Sequence, residues 1–102
     1  VRMIAAFSVA PTVTNNSNAE MSDVVARAVK VVRESGLPHE TTAMFTTIEG
    51  EWDEVMDVIK RATQAVEEVS LRVSLVVKAD IRPGYENMLQ QKVESLNKHL
   101  EA

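Results

Sequence analysis

The segment from residue 3 to residue 10 limits the fold most strongly, because its apolar side chains occupy both alternating faces of a predicted strand. One face carries Ile4, Ala6 and Ser8, and the other carries Met3, Ala5, Phe7 and Val9. A strand that is apolar on both sides is typical of the centre of a sheet covered on both faces. We therefore expect a central strand at 3–10, and we expect Pro11 to end it.

Changes in apolar spacing along the rest of the chain define the other elements. Spacing of three and four residues predicts helices at about 21–35, 52–69 and 85–100. Strict alternation predicts a strand at 71–81. Residues 39–50 are typical of two strands that turn near Met44, although no Gly or Pro marks that turn. The order of elements is therefore βαββαβα.

Each predicted helix carries an apolar stripe that we expect to be buried. The stripe of the first helix is Val25, Ala28, Val29 and Val32. The stripe of the second is Trp52, Val55, Ile59, Ala62, Val66 and Val69, and that of the last is Tyr85, Leu89, Val93, Leu96 and Leu100.

The order βαββαβ is that of the ferredoxin-like fold. Right-handed crossovers place the first and third strands in the middle of an antiparallel four-stranded sheet, with two helices on one face. We therefore expect one α+β domain over 1–102, a ferredoxin-like sandwich with an additional C-terminal helix. The other sheet face carries Thr and Ser beside apolar groups, and a second subunit or the third helix should cover it. We favour self-association through the sheet, as a dimer or tetramer.

Composition argues against several functional classes. Eleven basic residues are scattered along a chain of net charge −4, so we expect no nucleic-acid partner. No apolar run approaches the roughly 18 residues of a membrane span, so we expect no membrane partner. The chain has no cysteine and shows no signal-peptide pattern before its first strand, which favours a cytoplasmic protein.

Residues suited to catalysis or metal binding are few. His39 follows Pro38 and His99 lies in the last predicted helical turn, and neither has a ligand partner at a suitable spacing. No glycine-rich phosphate loop and no pairing of a nucleophile with a base is visible. We therefore expect no catalytic residue, metal or resident cofactor. A small enzyme on the same fold, a cofactor-free monooxygenase or a hydrolase, is an alternative that would need His39 in its pocket.

The segment 41–50 is the richest candidate for a binding site. Its four threonines suit a strand, but they also supply hydroxyls for a ligand. Glu49 lies at the end of an expected central strand. A carboxylate at that position is either exposed to water at the rim of the sheet or binds a ligand. Gly50 lets the backbone turn into the next helix, and Trp52 is either a core anchor or a flat wall for a heteroaromatic ring. A third interpretation is a structural or regulatory domain without a ligand, in which this Thr-rich face is buried between subunits.

A second polar pattern closes the last predicted strand, where Lys78, Asp80 and Arg82 alternate on one face. Such a charged face is usually solvated or lies at a subunit contact. Asp80 and Arg82 are also suited to pairing across an interface.

Five short motifs occur along the chain in a fixed order. They are Ser8-Val9-x-Pro11, Glu34-Ser35-Gly36-Leu37, Thr46-x-Ile48-Glu49-Gly50-Glu51-Trp52-Asp53-Glu54-Val55, Arg72-Val73-Ser74 and Lys78-x-Asp80-x-Arg82. In this order they resemble the small stand-alone thiamine-binding proteins, long catalogued as a conserved family of unknown function. The resemblance covers essentially the whole chain, and the Thr-x-Ile-Glu-Gly and Lys-x-Asp-x-Arg motifs are its most specific parts.

The resemblance implies a ferredoxin-like domain that forms dimers and tetramers through its sheets. It also implies that the domain binds thiamine, or the hydroxymethylpyrimidine portion of thiamine, without turning it over. The ligand would lie against the sheet near the first strand and the Thr-x-Ile-Glu-Gly segment. Carried over by position, the candidate ligand-binding residues are Ser8, Thr46, Glu49, Trp52 and Lys78, with Met44 and Phe45 available to cover a ring face.

Two departures from the family pattern lie close to this expected pocket. The family commonly has Gly just before the Thr of Thr-x-Ile-Glu-Gly, where this chain has Phe45. The family often has Leu-Gly-Thr after the first-strand proline, where this chain has Thr12-Val13-Thr14. Phe45 therefore either fills pocket space or replaces a stacking wall.

Overall fold

A computed structural model describes residues 2–14, 21–84 and 87–101. The elements in chain order are β1 (Arg2–Thr14), α1 (Met21–Glu34), β2 (His39–Thr41), β3 (Thr46–Glu51), α2 (Trp52–Glu67), β4 (Ser70–Ile81) and α3 (Met88–Glu101). The βαββαβα order is confirmed. Tyr85, which was expected to begin the last helix, lies outside the described residues.

The four strands form one antiparallel sheet in the order β2-β3-β1-β4. This is the arrangement expected of a ferredoxin-like sandwich, with β1 and β3 inside and β2 and β4 at the edges. Residues opposite each other in an antiparallel pair share a face, so Ile48 points to the same side as Ala5, and Glu49 to the same side as Ile4. The sheet therefore has a covered face, which carries Ala5 and Ile48, and an open face, which carries Ile4 and Glu49.

The core lies between the covered face of the sheet and helices α1 and α2. Its buried apolar residues are Met3, Ala5, Phe7, Val9, Val24, Ala28, Val32, Ile48, Val55, Val58, Ile59, Ala62 and Val66. Fully burying one Val or Ile side chain stabilises a fold by roughly 1.5–3 kcal/mol. Burial of this set is what holds the two helices on one face of the sheet.

Pro11 does not end β1, contrary to expectation, because β1 continues to Thr14. The pairing of β1 with β3 ends at Phe7 and Thr46, while its pairing with β4 runs on past Pro11 opposite Val73. Odd-numbered residues of β1 turn their main chain towards the β3 side. The missing N–H of Pro11 therefore falls where β3 has already ended, and no ladder hydrogen bond is lost.

The turn between β2 and β3 is confirmed near Met44, and a threonine hydroxyl closes it. Thr42 Oγ1 donates to the carbonyl oxygen of Phe45 at 3.0 Å and accepts from the Phe45 N–H at 3.3 Å. The Thr42 N–H also donates to Phe45 O at 2.9 Å. A hydroxyl that bonds nearby main chain replaces the Gly or Pro that usually marks a turn.

Gly50 is needed for close packing and not for a sharp turn, because positive φ angles at glycine occur at Gly36 and Gly84 but not at Gly50. A Cβ atom at Gly50 would lie 3.3 Å from Leu37 Cδ2 and 3.3 Å from Val55 Cγ2. Contacts this short force a neighbouring side chain to shift.

We expect Gly50→Ala to lower the free energy of unfolding by about 1–2 kcal/mol through this overpacking. Urea denaturation followed by circular dichroism measures the change. An unchanged or raised midpoint would show that Leu37 moves aside freely and would contradict the packing explanation.

Several residues of the expected apolar stripes are exposed. Val24 and Val58 enter the core, whereas Val25 is exposed and Trp52 is 46% exposed, so Trp52 is not a core anchor. In α3 the exposed apolar residues are Val93, Leu96 and Leu100. Met88 at the start of α3 is buried, so this helix is attached by its first turn while its apolar stripe stays outside the core.

Within the described residues, no helix combines the length and apolar character needed to cross a membrane.

Candidate functional site

A cleft opens where β1 runs on beyond the end of β3. Its volume is about 210 Å³. One wall is residues 7–10 of β1, a second is the α1 side chains Val25, Ala28 and Val29, and the third is the segment 41–46. We name it the β1–α1 cleft. It exists because β3 is shorter than β1, and because the Thr42 turn carries residues 43–45 over the gap.

Four of the predicted ligand-binding residues meet in the β1–α1 cleft. They are Ser8, Met44, Phe45 and Thr46. Thr46 is buried, Phe45 is 36% exposed and Met44 is largely exposed. The cleft is therefore deepest near Thr46 and opens to solvent near Met44. The described residues that line the cleft include no charged side chain. The site is therefore suited to a neutral ring that has a few hydrogen-bonding atoms.

The threonine hydroxyls around the cleft differ in whether they already form hydrogen bonds within the protein. Thr42 is engaged in the turn that fixes Phe45. Thr41 and Thr46 form no side-chain hydrogen bond with the part of the chain that is described. The hydroxyls of Thr41 and Thr46 each have one donor and two acceptor positions, so each can bind either kind of ligand atom. The Ser8 side chain lies on the open face of the sheet with Ile4 and Ala6, so Ser8 borders the cleft from the edge of β1.

The main chain of β1 adds a donor and an acceptor at the same place. The Arg82 N–H donates to Arg2 O at 3.1 Å, so Arg2 turns its main chain towards the β4 side. Alternation then turns Val9 to the other side, beyond the last β3 pair at Phe7. The N–H and C=O of Val9 therefore face the side on which β3 has ended.

Glu49 lies on the open face of the sheet and holds the start of α3. Its side chain is only 1% exposed. Glu49 Oε2 accepts from the Met88 N–H at 2.9 Å, and Oε1 accepts from the Leu89 N–H at 3.1 Å. Arg2 Nε lies 3.3 Å from Oε2. The carboxylate thus caps the α3 N-terminus from a neighbouring strand, where the first N–H groups of a helix need acceptors.

The pKa of Glu49 reflects opposing influences. Burial alone would raise the pKa of this carboxyl. The N–H donors of Leu89 and Met88, together with the Arg2 guanidinium, outweigh burial and hold the pKa below its usual value of 4.5. Glu49 is therefore ionised at neutral pH, and both of its oxygens are occupied by the protein.

The remaining predicted ligand residues lie elsewhere. Lys78 is on the open face, in a cleft of about 230 Å³ whose other described lining residues are Ile4, Ala6, Thr47, Ala79 and Asp80. We name it the open-face cleft. Trp52 begins α2 and lines neither cleft. The seven predicted residues therefore occupy separate places, and only the group around Phe45 forms one site.

Groups that could support catalysis or hold a metal do not gather near the cleft. His39 is exposed on edge strand β2, and its Nδ1 lies 2.9 Å from Leu37 O. Among residues 2–14, 21–84 and 87–101, no three His, Cys, Asp or Glu side chains come close enough to hold a metal ion.

Sequence reasoning missed three parts of the β1–α1 cleft. Thr41 belonged to the Thr-rich segment and was within reach of that argument. Val29 was assigned to the core, although it also walls the cleft. The main chain of Val9 had no signal in the sequence, because its direction depends on where β3 stops.

Comparison with known proteins assigns a family. The sequence profile of the thiamine-binding protein family matches residues 5–97. This chain belongs to the thiamine-binding protein family. A UPF0045 protein of Mycobacterium bovis is 44% identical over 99 residues, covering 96% of this chain and 94% of the relative. A UPF0045 protein of Methanocaldococcus jannaschii is 30% identical over 95 residues, covering 93% and 92%. The names of these relatives describe no reaction.

Solved structures agree with the ferredoxin-like assignment. A Bacillus cereus domain of unknown function superposes with a TM-score of 0.81 at 35% identity, covering 90% of this chain and 86% of that one. A Thermotoga maritima protein, provisionally described as a thiamine biosynthesis or salvage protein, has a TM-score of 0.77 at 23% identity. That alignment covers 93% of this chain and 99% of the other, and it shows the shared fold alone.

Proposed function

We propose that this thiamine-binding family member binds thiamine, or its hydroxymethylpyrimidine portion, in the β1–α1 cleft without turning it over. One observation carries the proposal: the cleft joins a half-open aromatic wall at Phe45, a free hydroxyl at Thr46, and the unpaired edge of β1 at Val9. An aminopyrimidine needs a face to stack on and hydrogen-bonding groups in its plane. The cleft supplies both.

The edge of β1 is suited to the aminopyrimidine ring. A ring nitrogen accepts a hydrogen bond, and the adjacent exocyclic amine donates one. The N–H and C=O of a single strand residue present a donor and an acceptor side by side, so Val9 matches this pair. The hydroxyls of Thr41 and Thr46 then reach the remaining polar atoms of the ring and its hydroxymethyl group.

The neutral lining favours the pyrimidine over the thiazolium cation. No carboxylate lines the cleft in the described part of the chain, and Glu49 is committed to α3 on the opposite face of the sheet. The proposal therefore seats the pyrimidine inside, against Phe45, and leaves the thiazolium of thiamine at the rim near Met44. Glu49 and Trp52 act outside this site.

The binding is non-catalytic in this proposal because no described residue lining the cleft is an acid, base or reactive thiol. His39, the histidine that an enzyme on this fold would use, lies outside the cleft. We also propose that the chain self-associates through its sheet, whose open face α3 contacts beside β1 and β3.

Calorimetry and thermal unfolding with separate halves of thiamine test the function. A ligand at about 100 times its Kd stabilises the native state by about 2.7 kcal/mol, so the thermal midpoint should rise by several degrees. We expect thiamine and hydroxymethylpyrimidine to raise it and hydroxyethylthiazole to leave it unchanged. No heat and no shift with millimolar thiamine and hydroxymethylpyrimidine would overturn the proposal. A shift with the thiazole half alone would overturn the assigned orientation.

A further inference from the structure

A second depression adjoins the β1–α1 cleft on the exposed side of α1. Its volume is about 380 Å³, and its described lining residues are Val25, Ala26, Val29, Lys30 and Arg33. We name it the α1 depression. Val25 and Val29 line the β1–α1 cleft as well. The two cavities therefore meet along these two valines.

Helix geometry explains why the wall of the cleft leads to positive charge. Residues four apart lie on one side of a helix, so Val25, Val29 and Arg33 form one row along α1. Arg33 lies one turn beyond Val29, about 6 Å along the helix axis. Lys30 belongs to the neighbouring row, one turn beyond Ala26, whose side chain is a single methyl group. A ligand group that leaves the cleft along Val29 therefore comes within reach of both cations.

The charge of the α1 depression is opposite to that of the whole chain. The described residues that line the β1–α1 cleft are uncharged, and those that line the α1 depression include Lys30 and Arg33 but no acidic side chain. The chain as a whole has a net charge of −4. Two positive charges on neighbouring turns favour an anion at this place and disfavour a cation.

Arg33 is available to bind such an anion. Arg27, on the same helix, pairs with Glu68. Arg33 forms no hydrogen bond or ion pair with the part of the chain that is described. Lys30 has one loose partner, because its Nζ lies 4.0 Å from Glu34 Oε1 and both side chains are largely exposed. An exposed pair of this kind contributes little to stability, so a bound anion can replace it at small cost.

We propose that the α1 depression binds the phosphate of a phosphorylated ligand whose pyrimidine occupies the β1–α1 cleft. This inference rests on the function proposed above and adds the chemical class of the outer part of the ligand, a phosphate ester. The planar guanidinium of Arg33 donates two parallel hydrogen bonds to phosphate oxygens, and the Lys30 ammonium adds a second positive charge. The apolar row of Val25 and Val29 packs against the atoms that join the ring to the phosphate.

Two kinds of phosphate ester share this chemistry. In phosphorylated thiamine the phosphate is at the thiazolium end, which the proposed orientation leaves outside the cleft. In phosphorylated hydroxymethylpyrimidine it is one methylene group from the ring. Thiamine without a phosphate brings only a cation towards Lys30 and Arg33, so phosphorylation replaces a repulsion with an attraction.

Calorimetry on two matched pairs of compounds tests the proposal. The pairs are thiamine with thiamine monophosphate, and hydroxymethylpyrimidine with its phosphate. We expect the phosphorylated member of at least one pair to bind about tenfold more tightly than its parent. This advantage should shrink when the ionic strength is raised from about 0.01 M to about 1 M, because salt screens exposed charges. The pair that shows the advantage identifies which ester the site takes.

Three variants assign the advantage to the α1 depression. Arg33→Gln keeps a long polar side chain without the charge and should reduce the advantage from about tenfold to about twofold. Lys30→Gln should reduce it by a smaller factor, because an ammonium acts as a single point charge. Arg27→Gln is the matched control, since Arg27 is an exposed arginine on the same helix that is not among the described residues lining the α1 depression. It should keep the full advantage. Circular dichroism checks that each variant folds.

The outcomes separate this inference from the proposed function. Equal affinity for the phosphorylated and unphosphorylated members of both pairs overturns the inference and leaves the proposed function standing. An advantage that survives the combined Arg33→Gln and Lys30→Gln variant, or that Arg27→Gln reduces equally, overturns the assigned site. Failure of all four compounds to bind overturns the proposed function and the inference together.

Discussion

Glu49→Gln is expected to lower the free energy of unfolding by about 2–3 kcal/mol, because it disrupts a fully used buried carboxylate. The amide keeps one oxygen, so it can accept from either Met88 or Leu89, and it presents an NH₂ group to the other N–H donor. It also leaves Arg2 without its ion-pair partner. Urea denaturation measures the loss.

Hydrogen exchange locates this loss. In the variant, the amides of Met88 and Leu89 should exchange faster, together with the rest of the first turn of α3, while amides of β1 keep their protection. Glu40→Gln is the matched control, since Glu40 is an exposed carboxylate on edge strand β2 and should change stability by less than about 0.5 kcal/mol. Equal stability of the two variants would contradict the capping role of Glu49.

The pH dependence of stability follows from the lowered pKa of Glu49. A carboxyl that is more acidic in the folded state contributes stability that is complete above its unfolded pKa, near 4.5, and is lost as the pH falls through its folded pKa. The difference in stability between the natural chain and Glu49→Gln should therefore be largest at neutral pH and shrink below about pH 4.5. A difference that stays constant down to pH 3 would show that folding does not lower the pKa of Glu49.

Phe45→Ala is expected to weaken hydroxymethylpyrimidine binding by about tenfold or more, because stacking of a base on an aromatic ring is worth about 1–3 kcal/mol. The family resemblance implies Gly at this position in most members, so Phe45 either blocks the pocket or forms its wall. Phe45 is 36% exposed and lines an open cleft, which favours the wall. Isothermal titration calorimetry decides between the two by the sign of the affinity change.

Two further variants separate stacking from general loss of structure. Trp52→Ala removes an aromatic side chain that is similarly exposed but lies outside the cleft, so it should leave affinity unchanged. Phe45→Tyr should retain most of the affinity because it keeps the ring. Tighter binding by Phe45→Ala would mean that the ring fills space that the ligand needs. A loss of affinity in Trp52→Ala would move the site towards the start of α2.

Local periodicity was sufficient for the elements and their order. The two-sided apolar pattern of residues 3–10 identified the central strand, and strict alternation identified β4. These features are readable because helix and sheet geometry repeat every 3.6 and 2 residues. The extent of β1 was not readable, because the effect of Pro11 depends on whether a neighbouring strand lies on its N–H side.

Whether a site residue's role could be predicted depended on how far along the chain its partners lie. Ser8 and Thr46 were carried over from the family resemblance, and Met44 and Phe45 were named as possible covers for a ring face; all four line the same cleft. The partners of Glu49 were not predictable. They lie 39 and 40 positions further along the chain, on a helix that the sequence placed only approximately.

The sequence by itself therefore determined the ferredoxin-like order, the Thr-rich segment and the resemblance to thiamine-binding proteins, because each depends on local spacing or on motifs in series. Only the tertiary structure decided which face of the sheet each residue serves. In the structure, Glu49 caps the start of α3, and Trp52 lines neither cleft. The main chain of β1 at Val9 faces the β1–α1 cleft because the pairing with β3 has ended there. The physical reason is strand length: β3 stops short of β1, and this mismatch creates the cleft and exposes the main chain within it.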